Sequence, residues 1–380
     1  MELLRGILLS VLVGAVIAFS CSQPPAITLR PTPFDCDWSQ AGGDESRAAF
    51  YDDSSHHGDP HFLWKQQIKA PLVLEPSIQN GSIFLPATDK TIYVNSLDDG
   101  RQQGRLEIGL PIVAPCVVKD SLIAVNEFGR SLSIRNWITG QKIWGIELFG
   151  SDIEPLLYEG RLYWQDGKRL FHCFGFAEGK RIWEKALDYD FVVAPAACSL
   201  GLVVVASTGH IAMISLDDGH EHWRRGISNR IRNSPVISGD ALYYCTVDGK
   251  VTKVNLADGS DAWEIQLDSP SMAPQAADGE GVYFGASSGT LLKVGSQDGA
   301  ILWRSQLDGP IRAGITIFGK IVISTSLNHR VYFVDKNAGA IRFEYETEGM
   351  ISARPVVCGN RVYVAGEDKN LYCFQVSDER

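Results

Sequence analysis

The sequence predicts an all-β protein, an eight-bladed β-propeller whose last sheet is completed by a strand from near the N-terminus. Three observations carry that prediction: a forty-residue period, a four-strand pattern inside each period, and an offset between the two ends of the array.

The period is set by glycine. Gly100, Gly140, Gly179, Gly219, Gly259, Gly299 and Gly339 recur at intervals of 40, 39, 40, 40, 40 and 40 residues. Four residues after five of them stands a tryptophan: Trp144, Trp183, Trp223, Trp263 and Trp303. Phe343 takes that place after Gly339, and Gly104 takes it after Gly100, so one unit lacks the ring. Forty residues before Gly104 lies Trp64, which makes eight equivalent positions. The rings at Trp64, Trp144, Trp183, Trp223, Trp263, Trp303 and Phe343 are expected to dock each blade on its neighbour. One aromatic per unit, in register after a turn, suits burial between sheets better than ligand stacking.

Within a unit, Ser234–Asp240, Ala241–Thr246, Lys250–Leu256 and Ala262–Leu267 are short apolar stretches separated by Gly, Asp and Ser. That is the pattern of four strands joined by hairpins. Asp99-Gly100, Asp218-Gly219, Asp258-Gly259 and Asp298-Gly299 mark the last hairpin, where glycine accepts the positive φ of a tight turn. A four-stranded sheet cannot cover both of its faces alone, and stacking in a ring covers them with few free edges. Residues 353–376 supply three strands of the last blade, and His61 to Lys69 are expected to supply the fourth.

The remaining segments divide the chain into 1–20, 21–59 and 60–380. Residues 1–20 read as a signal peptide: Arg5, then an apolar run from Ile7 to Phe19, shorter than the roughly 20 residues that cross a bilayer. The run ends Ala18-Phe19-Ser20-Cys21, which resembles the lipobox of bacterial lipoproteins and makes Cys21 the expected lipid-attachment residue; Phe19 departs from the usual choice. Residues 21–59 carry Pro24, Pro25, Pro31, Pro33 and the polar run Asp52–Asp59, and are expected to form a flexible tether. Phe34, Trp38, Phe50 and Tyr51 within it are candidates to dock onto the propeller or onto a partner.

Composition excludes some functions. A formal charge of −10 argues against a nucleic-acid partner. Setting Cys21 aside, the seven cysteines Cys36, Cys116, Cys173, Cys198, Cys245, Cys358 and Cys373 are odd in number, so no complete disulfide framework is expected. Those inside apolar strands, such as Cys358 and Cys373, read as small buried hydrophobes. His220-Glu221-His222 would put two imidazoles on one side of a strand, but it sits at a hairpin with no third ligand, so no metal site is expected.

The Gly-x-x-x-Trp motif after an apolar strand and an acidic turn, as in Ser215-Leu216-Asp217-Asp218-Gly219-His220-Glu221-His222-Trp223 and Asn255-Leu256-Ala257-Asp258-Gly259-Ser260-Asp261-Ala262-Trp263, resembles the pyrroloquinoline-quinone-like repeat family. The likeness spans Leu63 to Arg380; threonine before the glycine, common there, occurs only as Thr139-Gly140. That family has a branch of quinone- and calcium-dependent dehydrogenases and a branch of BamB-like lipoproteins that bind proteins. A lipobox-like segment, a single ring and repeats without insertions resemble the second branch. The dehydrogenase branch often carries adjacent cysteines, and no Cys-Cys pair occurs here. The resemblance implies a non-enzymatic scaffold without catalytic residues or cofactor, monomeric apart from its complex. It would be lipid-anchored at the outer membrane facing the periplasm, with protein partners that include the β-barrel assembly machinery. An extracytoplasmic scaffold or sensor with another client is the alternative within that class, and a quinone-dependent dehydrogenase the alternative outside it.

Overall fold

A computed structural model of the chain describes residues 27, 36–52, 58–128, 131–147, 152–271 and 273–377. The expected signal peptide, Cys21 and Phe34 lie outside the described residues.

The repeats form eight antiparallel sheets arranged as propeller blades, and no described residue is helical. Blades 1 to 7 span 77–107, 117–147, 156–186, 196–226, 236–266, 276–306 and 316–346, and blade 8 spans 356–376 together with Pro60–Gln67. In blades 1 to 7 strand order follows chain order from the axis outward, and in blade 8 Pro60–Gln67 lies outermost. Blade 5 is representative: Val236–Ser238, Ala241–Cys245, Lys250–Asn255 and Asp261–Gln266. Its inner strands are largely buried because another blade lies on either side, so they read as near-continuous apolar runs. The outermost strand alternates exposed and half-buried positions, as an edge in water must.

The ring closes where the sequence offset indicates. Pro60–Gln67 pairs antiparallel with Asn370–Val376, setting Phe62 opposite Phe374 and Trp64 opposite Cys373. The first strand of the array and the last thus share one sheet.

Between blades the seam has a repeating construction. In every blade the register of the outermost strand slips one residue before the aromatic position, leaving Ile182, His222, Ala262 and Leu302 as bulge residues. A bulge adds a residue on one strand and raises the local twist, which re-aims the side chain that follows. Each indole then lies over the turn glycine of the next blade. Trp223 is packed so closely on Gly259 that a Cβ there would come within 2.7 Å of the ring, and Gly259 also has φ +73°. Glycine is required twice over, by conformation and by space. The indole Nε1 of Trp183, Trp223, Trp263 and Trp303 donates to a carbonyl thirty-three residues on, in the following blade, at 2.8–3.2 Å.

Gly104 breaks the series, and the gap is filled from elsewhere. A Cβ on Gly104 would collide with Ile27, whose side chain occupies that space. Trp137, in the last turn of blade 2, is fully buried and reaches back to meet Phe84 of blade 1 edge-on at 4.9 Å, its Nε1 donating to the Asp120 carbonyl at 2.9 Å.

Candidate functional site

The axis is where the eight inner strands converge, and a single non-repeating segment fills it. The described part of the stretch expected to be a tether, residues 36–52, does not behave as one. It runs once around the axis as a strap. Ile78 exchanges backbone hydrogen bonds with Trp38 at 2.8 and 3.0 Å. Val118 N–H donates to the Ser39 carbonyl, and Leu157 N–H to the side-chain Oε1 of Gln40. Ala197, Ile237, Ala277 and Ile317 donate to the carbonyls of Glu45, Ser46, Ala48 and Ala49. These seven amides occupy the same position in blades 1 to 7, 39 or 40 residues apart. Phe50–Tyr51 then pairs in parallel with Ile317–Phe318 as a fifth strand of blade 7, and the Tyr51 hydroxyl accepts from Gly359 N–H of blade 8.

The strap reverses the expectation for one cysteine. Cys36 and Cys358 form a disulfide, so Cys358 is not merely a buried hydrophobe, and the odd cysteine count concealed a real pair. The cause is that the partner lies in the strap, 322 residues away, where no strand pattern points to it. Cys116, Cys173, Cys198, Cys245 and Cys373 are unpaired. Burial pushes the Cys173 thiol up to about 11 and that of Cys245 to about 12.

Over the strap lies a recess of about 320 Å³, lined by Ala41, Gly42 and Arg47 of the strap and by the loops that lead into the inner strands. We refer to this side, which also carries the hairpins between second and third strands, as the upper face. The positions two residues before each inner strand are Glu75, Pro115, Glu154, Ala194, Ser234, Pro274, Gly314 and Arg354. Glu75 and Arg354 form an ion pair at 3.3 Å, both nearly buried. Glu75 Oε1 also accepts from Trp38 Nε1 at 2.9 Å and from Gly42 N–H at 2.7 Å. Arg354 donates to the carbonyls of Ile315 and Gln275, and Arg47 donates to the Pro195 carbonyl and pairs with Glu154. Burial pushes the Glu75 carboxyl above the usual carboxylate range, with Arg354 and the two donors opposing it, and pulls the Arg354 guanidinium down. These charges tie strap to blades.

The residues singled out from the sequence do not meet here. Trp64, Trp144, Trp183, Trp223, Trp263, Trp303 and Phe343 sit on outermost strands, far out on the seams. His220 pairs with Asp218 at 3.0 Å in an exposed turn, and His222 is an exposed bulge residue. Among the described residues no three His, Cys, Asp or Glu side chains are placed to share a metal ion. The axial residues escaped notice because they do not repeat. Their one signal is a proline after the odd residue, as in Glu75-Pro76, Glu154-Pro155 and Arg354-Pro355 against Ala194-Pro195 and Ser234-Pro235.

The model of the family described as outer membrane protein assembly factor BamB matches residues 130–273, 195–310 and 287–379, well over half of the chain. No curated protein matches the sequence. Among solved structures, BamB from Moraxella catarrhalis superposes with a TM-score of 0.71 at 14% identity, covering 83% of this chain and 99% of that one. The quinohemoprotein alcohol dehydrogenase of Comamonas testosteroni superposes with a TM-score of 0.74 at 10% identity, over 90% of this chain and 81% of that one. A computationally designed protein, Ika8, gives 0.71 at 15% identity, over 84% and 100%. At these identities the superpositions establish the fold and nothing finer.

Proposed function

Because the chain belongs to the PQQ-like repeat family described as outer membrane protein assembly factor BamB, we propose that it is a non-enzymatic envelope lipoprotein whose propeller is a docking platform for proteins of outer-membrane assembly. The observation that carries this reading is the state of the axis. Of the acidic groups lining the axial recess, the Glu75 and Glu154 carboxylates are held by Arg354, Arg47, Trp38 and Gly42, and Asp152 stands exposed at its edge. A carboxylate so engaged is a poor general base and a poor cation ligand, because either role would strand a buried arginine. The axis is then a structural element, and recognition falls to the loops and the upper face. Anchoring would come from lipidation of Cys21 after removal of residues 1–20, holding the protein at the periplasmic side of the outer membrane.

Crosslinking in intact membranes followed by purification of the chain tests the platform reading. Recovery of the β-barrel assembly subunit is the expected result, and its consistent absence would assign the platform to another client. Labelling with radioactive palmitate, lost in Cys21→Ala, tests the anchor. The dehydrogenase alternative draws on the superposition with the alcohol dehydrogenase, which is of fold only. Addition of the quinone with Ca²⁺ should leave the melting temperature unchanged and produce no dye-linked alcohol oxidation; a large shift with turnover would replace the scaffold by an enzyme.

A further inference from the structure

A second concavity opens on the upper face between blades 4 and 5. It holds about 670 Å³ and is lined by Val192, Val205 and Ala206 on one side and by Ile227, Ile231 and Val247 on the other, with Arg230 and Arg232 among its walls. Val192 and Arg232 also line the axial recess, so the two spaces share a border and the groove leads from the rim of the face toward the axis. Its volume lies within the range of specific binding sites, about 300–1,000 Å³.

The charges here depart from the rest of the surface. The chain carries 45 acidic against 35 basic residues. Exposed arginines in blades 3, 4 and 6 are matched, Arg169 with Asp190 at 3.1 Å, Arg224 with Glu221 at 2.7 Å and Arg304 with Asp268 at 3.0 Å, while Arg312, ahead of blade 7, is exposed without an ion pair among the described residues. Arg230 and Arg232 are exposed and have no carboxylate partner among the described residues. Between them Ile231 is buried, and beside them Val192 keeps 42% of its surface in water. The groove's backbone is already committed in part, since Val192 N–H donates to the Val205 carbonyl and Val247 N–H to the Arg230 carbonyl. An occupant is therefore read by side chains rather than by pairing with a free strand edge.

We propose that this groove seats an extended acidic segment of a partner polypeptide, its carboxylates on Arg230 and Arg232 and its apolar side chains on Val192 and the aliphatic walls. Guanidinium groups without a partner offer forked, charge-assisted hydrogen bonds that match carboxylates. An alternating acidic and apolar sequence in extended form presents the two chemistries on opposite sides. Two arginines on a chain of net charge −10 do not make a phosphate-tracking surface, which sets nucleic acid aside. The assignment rests on the platform reading and adds to it a face and a partner chemistry.

The test uses a fluorescein-labelled peptide of alternating Glu and Val, with Lys-Val and Glu-Gly versions as controls, titrated with the mature protein and followed by anisotropy. The Glu-Val peptide should bind, the Lys-Val peptide should not, and the Glu-Gly peptide should bind about tenfold more weakly. Arg230→Ala with Arg232→Ala should weaken Glu-Val binding at least about tenfold without moving the melting temperature, whereas Arg304→Ala should leave it unchanged. Affinity should fall between ~50 and ~300 mM salt. No binding of the Glu-Val peptide, or equal binding by the double variant, overturns the assignment. In membrane crosslinking, a double variant that recovers the same partners as the wild type sinks this groove and leaves the platform standing. Failure of the wild type to recover any partner sinks the platform itself.

Discussion

The seams between blades and the axis at their centre pose the same problem, space that one sheet cannot fill, and they are filled in opposite ways. On the seams each blade brings its own ring: Trp183 lies on Gly219, Trp223 on Gly259, Trp263 on Gly299, Trp303 on Gly339. At the axis one strap serves seven blades through seven equivalent amides, and the residues around it follow no repeat. The difference follows from geometry. Each seam is a separate space beside one pair of blades, so a repeated residue can fill every one of them. The axis is a single space shared by all eight, where a repeated side chain would arrive in eight copies and a repeated charge would repel itself. Symmetry has to break at the centre, and the asymmetric pair Glu75 and Arg354 is one form of that break.

The largest losses are expected at the seams. Trp223→Ala removes a ring from a regular seam, and Trp137→Ala removes the substitute ring behind Gly104. Each should cost about 3–5 kcal/mol in denaturant unfolding. A loss under about 1 kcal/mol for Trp137→Ala would mean that Ile27 alone fills the irregular seam.

At the axis the expected losses are coupled rather than local. Arg354→Met leaves Glu75 buried without its cation and should cost about 3–5 kcal/mol. Adding Glu75→Gln should restore much of that loss. If the two costs simply add, Glu75 and Arg354 do not act as a unit. A smaller effect is expected from Cys36→Ser, which frees one end of the strap while its seven amide contacts remain: about 2–4 kcal/mol, and no further change in melting temperature when reductant is added.

The smallest effect depends on pH and lies on neither surface. His172 is 1% exposed in blade 3, stacked between Trp164 and Phe174 with Asp166 and Glu184 near its two nitrogens. Burial lowers its pKa below the ordinary 6.5, the two carboxylates opposing. The unfolded chain therefore takes up this proton more readily than the folded one. The contribution to stability is complete above pH about 6.5 and is lost as pH falls toward the lowered folded value. Melting temperatures measured across that window should decline for the wild type and decline less for His172→Gln; equal slopes would exclude His172 as the cause.

What the sequence reveals follows the same division. The ring of blades, its closure by Pro60–Gln67 and the positions of the indoles are legible because they repeat, and repetition is visible without any structure. The bulge before each indole is less so, since Ile182, His222, Ala262 and Leu302 share no chemistry, only a place. The strap and the axial charges are unreadable for a physical reason. Trp38, Gln40 and Arg47 answer to eight different neighbours and so carry no period. Prolines and polar residues in 21–59 suggest a tether, but Trp38, a candidate there to dock onto the propeller or a partner, is almost wholly buried on the propeller, because eight sheets supply the apolar surface that the segment lacks.

The strap also fixes an order of events. Residues 36–51 precede every blade in the chain, but their contacts lie on all eight, so the full set of contacts, the Cys36–Cys358 link to the final sheet included, exists only when every blade is in place. The stretch that leaves the ribosome ahead of the blades is the one that must wait longest for its place. Six cysteines follow Cys36 along the chain, and its bond to Cys358, the fifth of them, joins the strap to the final sheet.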